Sequence, residues 1–226
     1  MSTQPAPLTG ITTRNVETAR LTQHVYFAGP PAGEPVIFLH GNFTAATWWE
    51  EIMLALPENF RAIAPDMRGY GLTEDQRIDA TRGMGDWSDD LDALLRALDI
   101  PQAHLVGWSL GGGVLYRFII DHTEKVLSAT LVAPVSPYGF GGTKNIAGTP
   151  CCNDFAGSGG GVVNPEFVRR ISAGDRSDED PNSPRNVINN FYYKPPFRAA
   201  REEELLTAAL QEKMGDDRYP GDSIPS

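Results

Sequence analysis

The chain has 226 residues and a formal charge of −10, which suits one large domain or a domain carrying an insertion. Hydrophobic residues make up 41%, enough for a sizeable core, and 23 Gly with 18 Pro indicate a folded, loop-rich protein rather than a disordered one. The acidic balance argues against a nucleic-acid or anionic-membrane partner, because neutralising phosphates needs clustered Lys and Arg.

In chain order, Arg20–Phe27 alternates as a strand does, and a weaker candidate lies near Thr13–Thr18. After a Gly29–Gly33 turn, Pro35–His40 is a short continuous apolar run, the pattern of a strand buried on both faces of a parallel sheet. Thr47–Leu56 reads as a helix and Phe60–Pro65 as another buried strand. A helix opens at Gly85, with Asp86 as N-cap and Leu91, Leu94, Leu95 and Leu98 on one face. Ala103–Trp108 is a strand, Leu110–Ile120 a helix and Val126–Val132 a strand. The alternation predicts an α/β fold with a mostly parallel sheet. It stops at Ala133-Pro134. Beyond lie loops rich in Gly and Pro, then helical candidates at Pro165–Ser172, Ser183–Tyr193 and Ala199–Met214, with no convincing buried strand. The expected division is a core over 1–134 and a mainly helical cap over 135–226.

Gly107-Trp108-Ser109-Leu110-Gly111 is a G-x-S-x-G placed between a buried strand and a helix. There a Ser sits on a sharp turn with its hydroxyl exposed, and the helix N-terminus offers N–H groups to a developing oxyanion. His40-Gly41-Asn42-Phe43 follows an earlier strand, and Asp66-Met67-Arg68-Gly69-Tyr70-Gly71 another. With these three landmarks in order, the sequence from roughly Arg20 to Pro134 resembles the α/β-hydrolase superfamily, in its esterase, lactonase and epoxide-hydrolase-like branch. The resemblance implies Ser109 as nucleophile, the Asn42 and Leu110 amides as oxyanion hole, and Asp66 and Arg68 as loop-shaping residues. It also implies a helical cap inserted where the alternation breaks. Epoxide hydrolases and haloalkane dehalogenases of this fold carry Asp at the elbow. Ser109 points instead to an acyl-enzyme and to a small carboxylic ester or lactone. The alternatives are C–C bond hydrolysis, or an inactive relative that binds a ligand. Pocket candidates are His40, Phe43, Trp108 and Tyr138, with His40 read chiefly as a loop brace. Other cap aromatics, Phe140, Phe155, Phe167, Phe191, Tyr192, Tyr193 and Phe197, either face an apolar substrate or pack the cap itself.

A serine nucleophile needs a His and an orienting carboxylate, which in this fold follow it in the chain. Of the four His, only His122 follows Ser109, 13 residues on, and an intervening helix would put it about 20 Å away. A general base and its acid are therefore not found. The expectation is a segment of a longer hydrolase, completed by about 80–110 residues from a C-terminal piece or second chain. A truncated protein and an inactive relative remain open. Adjacent Cys151 and Cys152 are either free thiols or a vicinal disulfide and offer no zinc spacing. The Gly157–Gly161 run lacks the context of a nucleotide loop. No metal and no cofactor are expected. The N-terminus lacks the apolar stretch of a signal peptide and no run of about 18 apolar residues occurs, so the expected location is cytoplasmic.

Overall fold

A computed structural model describes residues 5–79, 82–135, 145, 147, 149, 164–215 and 218–220. Tyr138, Phe140, Cys151, Cys152, Phe155 and the Gly157–Gly161 run lie outside the described residues.

Six strands form one sheet: β1 (Thr12–Glu17), β2 (Thr22–Ala28), β3 (Glu34–Leu39), β4 (Phe60–Pro65), β5 (Ala103–Trp108) and β6 (Val126–Val132). Their order is β1-β2-β4-β3-β5-β6. The pairs β4–β3, β3–β5 and β5–β6 are parallel, while β1 and β2 join antiparallel. The apolar runs read from the sequence thus occupy the parallel centre, and the alternating ones its antiparallel flank.

Each central strand splits its side chains between two cores, as a two-residue period requires. Ile37 and Leu39 of β3 and Leu105 of β5 pack with Leu91, Leu94 and Leu95 of α2 (Gly85–Ala97) and Val114, Leu115 and Phe118 of α3 (Leu110–Asp121). Leu94, Leu95, Leu115 and Phe118 are wholly buried, each worth about 1.5–3 kcal/mol. On the opposite face Val36 and Phe38 pack with Tyr26, Trp49 and Met53.

Four elements depart from the sequence reading, the last of them α6 below. The Thr47–Leu56 helix is a 3-10 turn (Ala46–Trp49) followed by a short α1 (Glu50–Leu54). Asp86 does not cap α2: Met84 holds that position with no side-chain bond. Asp86 instead accepts from the Asp79 N–H (2.8 Å) and pairs with Arg20 and Arg82, so charge partners outcompete the cap. Ser183–Tyr193 divides into α5 (Pro184–Val187), capped by Ser183, and a π-turn (Ile188–Tyr192).

The helical unit also includes α4 (Pro165–Ser172) and α6 (Glu202–Ala209). α4 starts where Asn164 accepts from the Glu166 N–H (3.0 Å) and Pro165 fills the first turn. The helix expected over Ala199–Met214 ends at Ala209, because the chain turns so that the Lys213 N–H reaches the Gly69 carbonyl (2.7 Å). Met214–Gly215 then pairs with Tyr219–Pro220 as two-residue strands β7 and β8. Phe167, Ile171, Ile188, Leu206 and Ala209 close around Phe43 of the sheet domain. Arg201 pairs with buried Glu50 (3.0 Å), and the Trp48 indole N–H donates to the Leu205 carbonyl (3.2 Å). The unit is thus moored to the loops at the C-terminal edge of the parallel strands.

β6 ends the sheet order, and Leu127 to Val132 are exposed on both faces, with Leu127 at 44% and Val132 at 40%. Ile120, nearby in sequence at the end of α3, is 75% exposed.

Candidate active site

Ser109 links β5 directly to α3 and has φ 52°, ψ −111°, a conformation L-residues rarely adopt. The surroundings over-determine it. Its N–H donates to the Val132 carbonyl (3.0 Å), and its carbonyl accepts from the Gly113 and Val135 N–H groups (3.2 and 3.1 Å). The Gly111 N–H donates to the His40 carbonyl (3.1 Å), joining the turn to the loop after β3. A Cβ on Gly111 would lie 2.4 Å from the Leu39 carbonyl oxygen, and one on Gly107 2.6 Å from the Gly111 oxygen. The two glycines of the pentapeptide are therefore needed for close backbone approach. Leu110 begins α3, so its amide sits at a helix N-terminus.

The Gly41-Asn42-Phe43 loop runs alongside, and a Cβ built on Gly41 lies 3.3 Å from the Ser109 Cβ. His40 is fully buried, and its Nε2 accepts from the Met67 N–H (3.0 Å). Burial holds its pKa below the usual imidazole value against the opposing influence of Asp66 and the Gly41 carbonyl. The neutral ring with an accepting Nε2 carries its proton on Nδ1, which donates to the Gly41 carbonyl (2.9 Å). Thr44 Oγ1 donates to the same oxygen (2.6 Å). His40 is accordingly a loop brace, with both ring nitrogens committed to backbone rather than to a pocket. Phe43, another pocket candidate, lies under the helical unit. It has φ 49°, is wholly buried and meets Phe167 edge-on at 5.0 Å, so it anchors the helical unit.

Asn42 is held at two points: Tyr70 Oη donates to its Oδ1 (2.7 Å) and Tyr192 Oη to its carbonyl (3.0 Å). Trp108 is half-buried and packs near Trp48 (5.7 Å) and edge-on to Tyr192 (5.7 Å). Tyr193 stacks on Trp48. This aromatic group beside the Ser109 turn was only partly foreseen. Trp48 sits in what reads as an ordinary helix, and Tyr70 is one of the two variable residues of D-x-R-G-x-G.

Asp66 and Arg68 shape loops, as the resemblance implied. Burial raises the Asp66 carboxyl, but His24 Nδ1 (3.1 Å), the nearby His40 and the Leu72 and Ala46 N–H groups outweigh it and hold its pKa below the usual value. No His ring lies on Ser109. His24 is on Asp66, and His104, at the start of β5, is on Glu34 and Ser128. His122 caps the far end of α3 against Phe118 and within 4.0 Å of Asp92. Among the described residues no cluster of His, Cys, Asp and Glu could hold a metal, and no helix is long and apolar enough to cross a membrane.

A sheet with Ser on a strand-to-helix turn, flanked by an H-G-N loop, defines the alpha/beta hydrolase fold, and the model of that family matches residues 34–146, half of the chain. The chain belongs to this family. It is similar to a 2-hydroxymuconate semialdehyde hydrolase of Pseudomonas sp. strain CF600, 36% identical over 53% of this chain and 42% of that protein. An uncharacterized carboxylesterase of Bacillus subtilis strain 168 is 25% identical over 85% of the chain and 68% of its own length. The crystal structure of an epoxide hydrolase from Vigna radiata superposes with a TM-score of 0.51 at 30% identity, covering 56% of this chain and 39% of that one. The chain spans less than half the length of the Pseudomonas enzyme.

Proposed function

We propose that the chain is the nucleophile-bearing part of a cytoplasmic serine hydrolase acting on a small carboxylic ester or lactone. The strained Ser109 at the start of α3 carries this reading, since that placement exposes a hydroxyl beside helix N–H groups. In the proposed reaction Ser109 Oγ attacks the acyl carbon and its proton passes to a base. The Asn42 and Leu110 amides hold the tetrahedral oxyanion. The base then protonates the departing alcohol oxygen, and water attacks the acyl-enzyme by the same route in reverse.

The four His of the chain are engaged away from Ser109, which supports a base supplied, with its acid, by a further segment, either downstream sequence or a second chain. The open side of β6, exposed on both faces, is where such a segment would add its strands. The similarity to a 2-hydroxymuconate semialdehyde hydrolase at 36% identity supports a second reading, in which the same serine acts on a carbon–carbon bond beside a carbonyl.

A fluorophosphonate probe applied to extracts of cells that make the protein is expected to label Ser109, and Ser109→Ala to remove the label. Absence of label on intact protein would overturn the hydrolase reading in favour of ligand binding without turnover. A panel of p-nitrophenyl esters, lactones and vinylogous diketones on the labelled species separates ester from C–C cleavage.

A further inference from the structure

We infer that Tyr192, at the end of the π-turn in the helical unit, is a positioning residue for the oxyanion hole. Through its hydrogen bond to the Asn42 carbonyl, it makes the geometry of that hole depend on the docking of the helical unit. This rests on the proposed role of the Asn42 amide.

The loop after β3 is fixed peptide by peptide. The Gly41 carbonyl is held from behind by His40 Nδ1 and Thr44 Oγ1, so the N–H of the same trans peptide, that of Asn42, points the opposite way. The following peptide offers the Asn42 carbonyl, and its hydrogen-bond donor comes from another part of the molecule: Tyr192 Oη, 150 residues along the chain, at 3.0 Å. The Asn42 side chain is secured separately by Tyr70 (2.7 Å). Tyr192 is thus the point where the helical unit touches the backbone of the oxyanion loop by a polar bond.

The approach of Tyr192 is set by the turn that carries it. Ile188 is buried in the cluster around Phe43, and the Tyr193 N–H donates to the Ile188 carbonyl (3.3 Å), five residues back. The wider π-turn places Ile188 in that cluster and Tyr192 against Asn42, Trp48 and Trp108. Loss of the phenol hydroxyl does not undock the unit. The Arg201–Glu50 pair, the Trp48–Leu205 bond, the Lys213–Gly69 bond and the Phe43 cluster all remain.

Tyr192→Phe, compared with wild type by amide hydrogen exchange, tests this without any need for activity. The expected result is exchange about fivefold faster at Asn42 and Phe43, the loss set by one hydrogen bond, with protection of α4 and α6 kept. On the active assembly, kcat should fall about tenfold with KM within about twofold, because only oxyanion stabilisation is weakened. Unchanged exchange at Asn42 and Phe43 would overturn the proposal, as would faster exchange confined to the helical unit, which marks Tyr192 as simple packing. If Ser109 carries no fluorophosphonate label but the Asn42 exchange still rises, the coupling stands and the hydrolase reading fails.

Discussion

Arg68 grips Asp90 with two parallel bonds, Nε to Oδ2 at 2.7 Å and Nη2 to Oδ1 at 2.8 Å, with both side chains buried. The pair clamps the loop after β4 to α2. Burial opposes the Arg68 charge, and Asp90 more than restores it, so its pKa rises above the usual guanidinium value. Asp90→Ala would leave a buried guanidinium without its fork, and unfolding free energy from urea titration should drop by about 3–5 kcal/mol.

Gly111→Ala puts a methyl 2.4 Å from the Leu39 oxygen and 2.7 Å from that of His40, backbone atoms with no room to yield. The strand-to-helix turn must open or β3 must shift. The expected loss is about 2–4 kcal/mol, read as a lower urea midpoint. Gly174→Ala, whose Cβ meets nothing within 4 Å but whose φ is +65°, should cost about 1 kcal/mol, and the contrast isolates close approach from φ.

Phe43→Ala removes the wholly buried ring at the centre of the cluster between sheet and helical unit. A cost of about 3–5 kcal/mol is expected. It should fall on one part of the molecule. Hydrogen exchange should quicken over 164–215 while the amides of β3 and β5 keep their protection. Uniform loss across the sheet would show that the two parts unfold together.

Acid should weaken the fold in two stages. His40 has a folded pKa below its unfolded value, so between the two the unfolded chain holds more protons. Its contribution is complete above about pH 6.5 and is lost as pH falls toward the lowered value. Asp66, also depressed, contributes above its ordinary carboxylate pKa and loses this as pH falls through its lowered one. Urea titrations from pH 8 to 3 should show stability declining first from about pH 6.5 and again below about 4.

The central strands and the elbow were legible because their signals are local. Apolar runs at Phe60–Pro65, Ala103–Trp108 and Val126–Val132 match the observed strands residue for residue. Loop bracing by His40 was legible from its place ahead of the nucleophile, and that by Asp66 through the resemblance. Long-range relations were not. The packing of Phe43 could not be read, because its partners, Phe167 and Ile188, lie far along the chain. Asp86 has the composition of a cap but faces two arginines that propensity does not weigh. The tie between Tyr192 and Asn42 joins residues that no periodicity connects.

The uncovered β6 has a thermodynamic consequence. A strand that adds to its open side binds only the folded sheet, and so stabilises it by an amount that grows with the logarithm of that strand's concentration. If the proposed segment adds there, the melting temperature of this chain is no fixed property. It becomes a titration variable, and its dependence on what else is present measures the affinity of the edge directly.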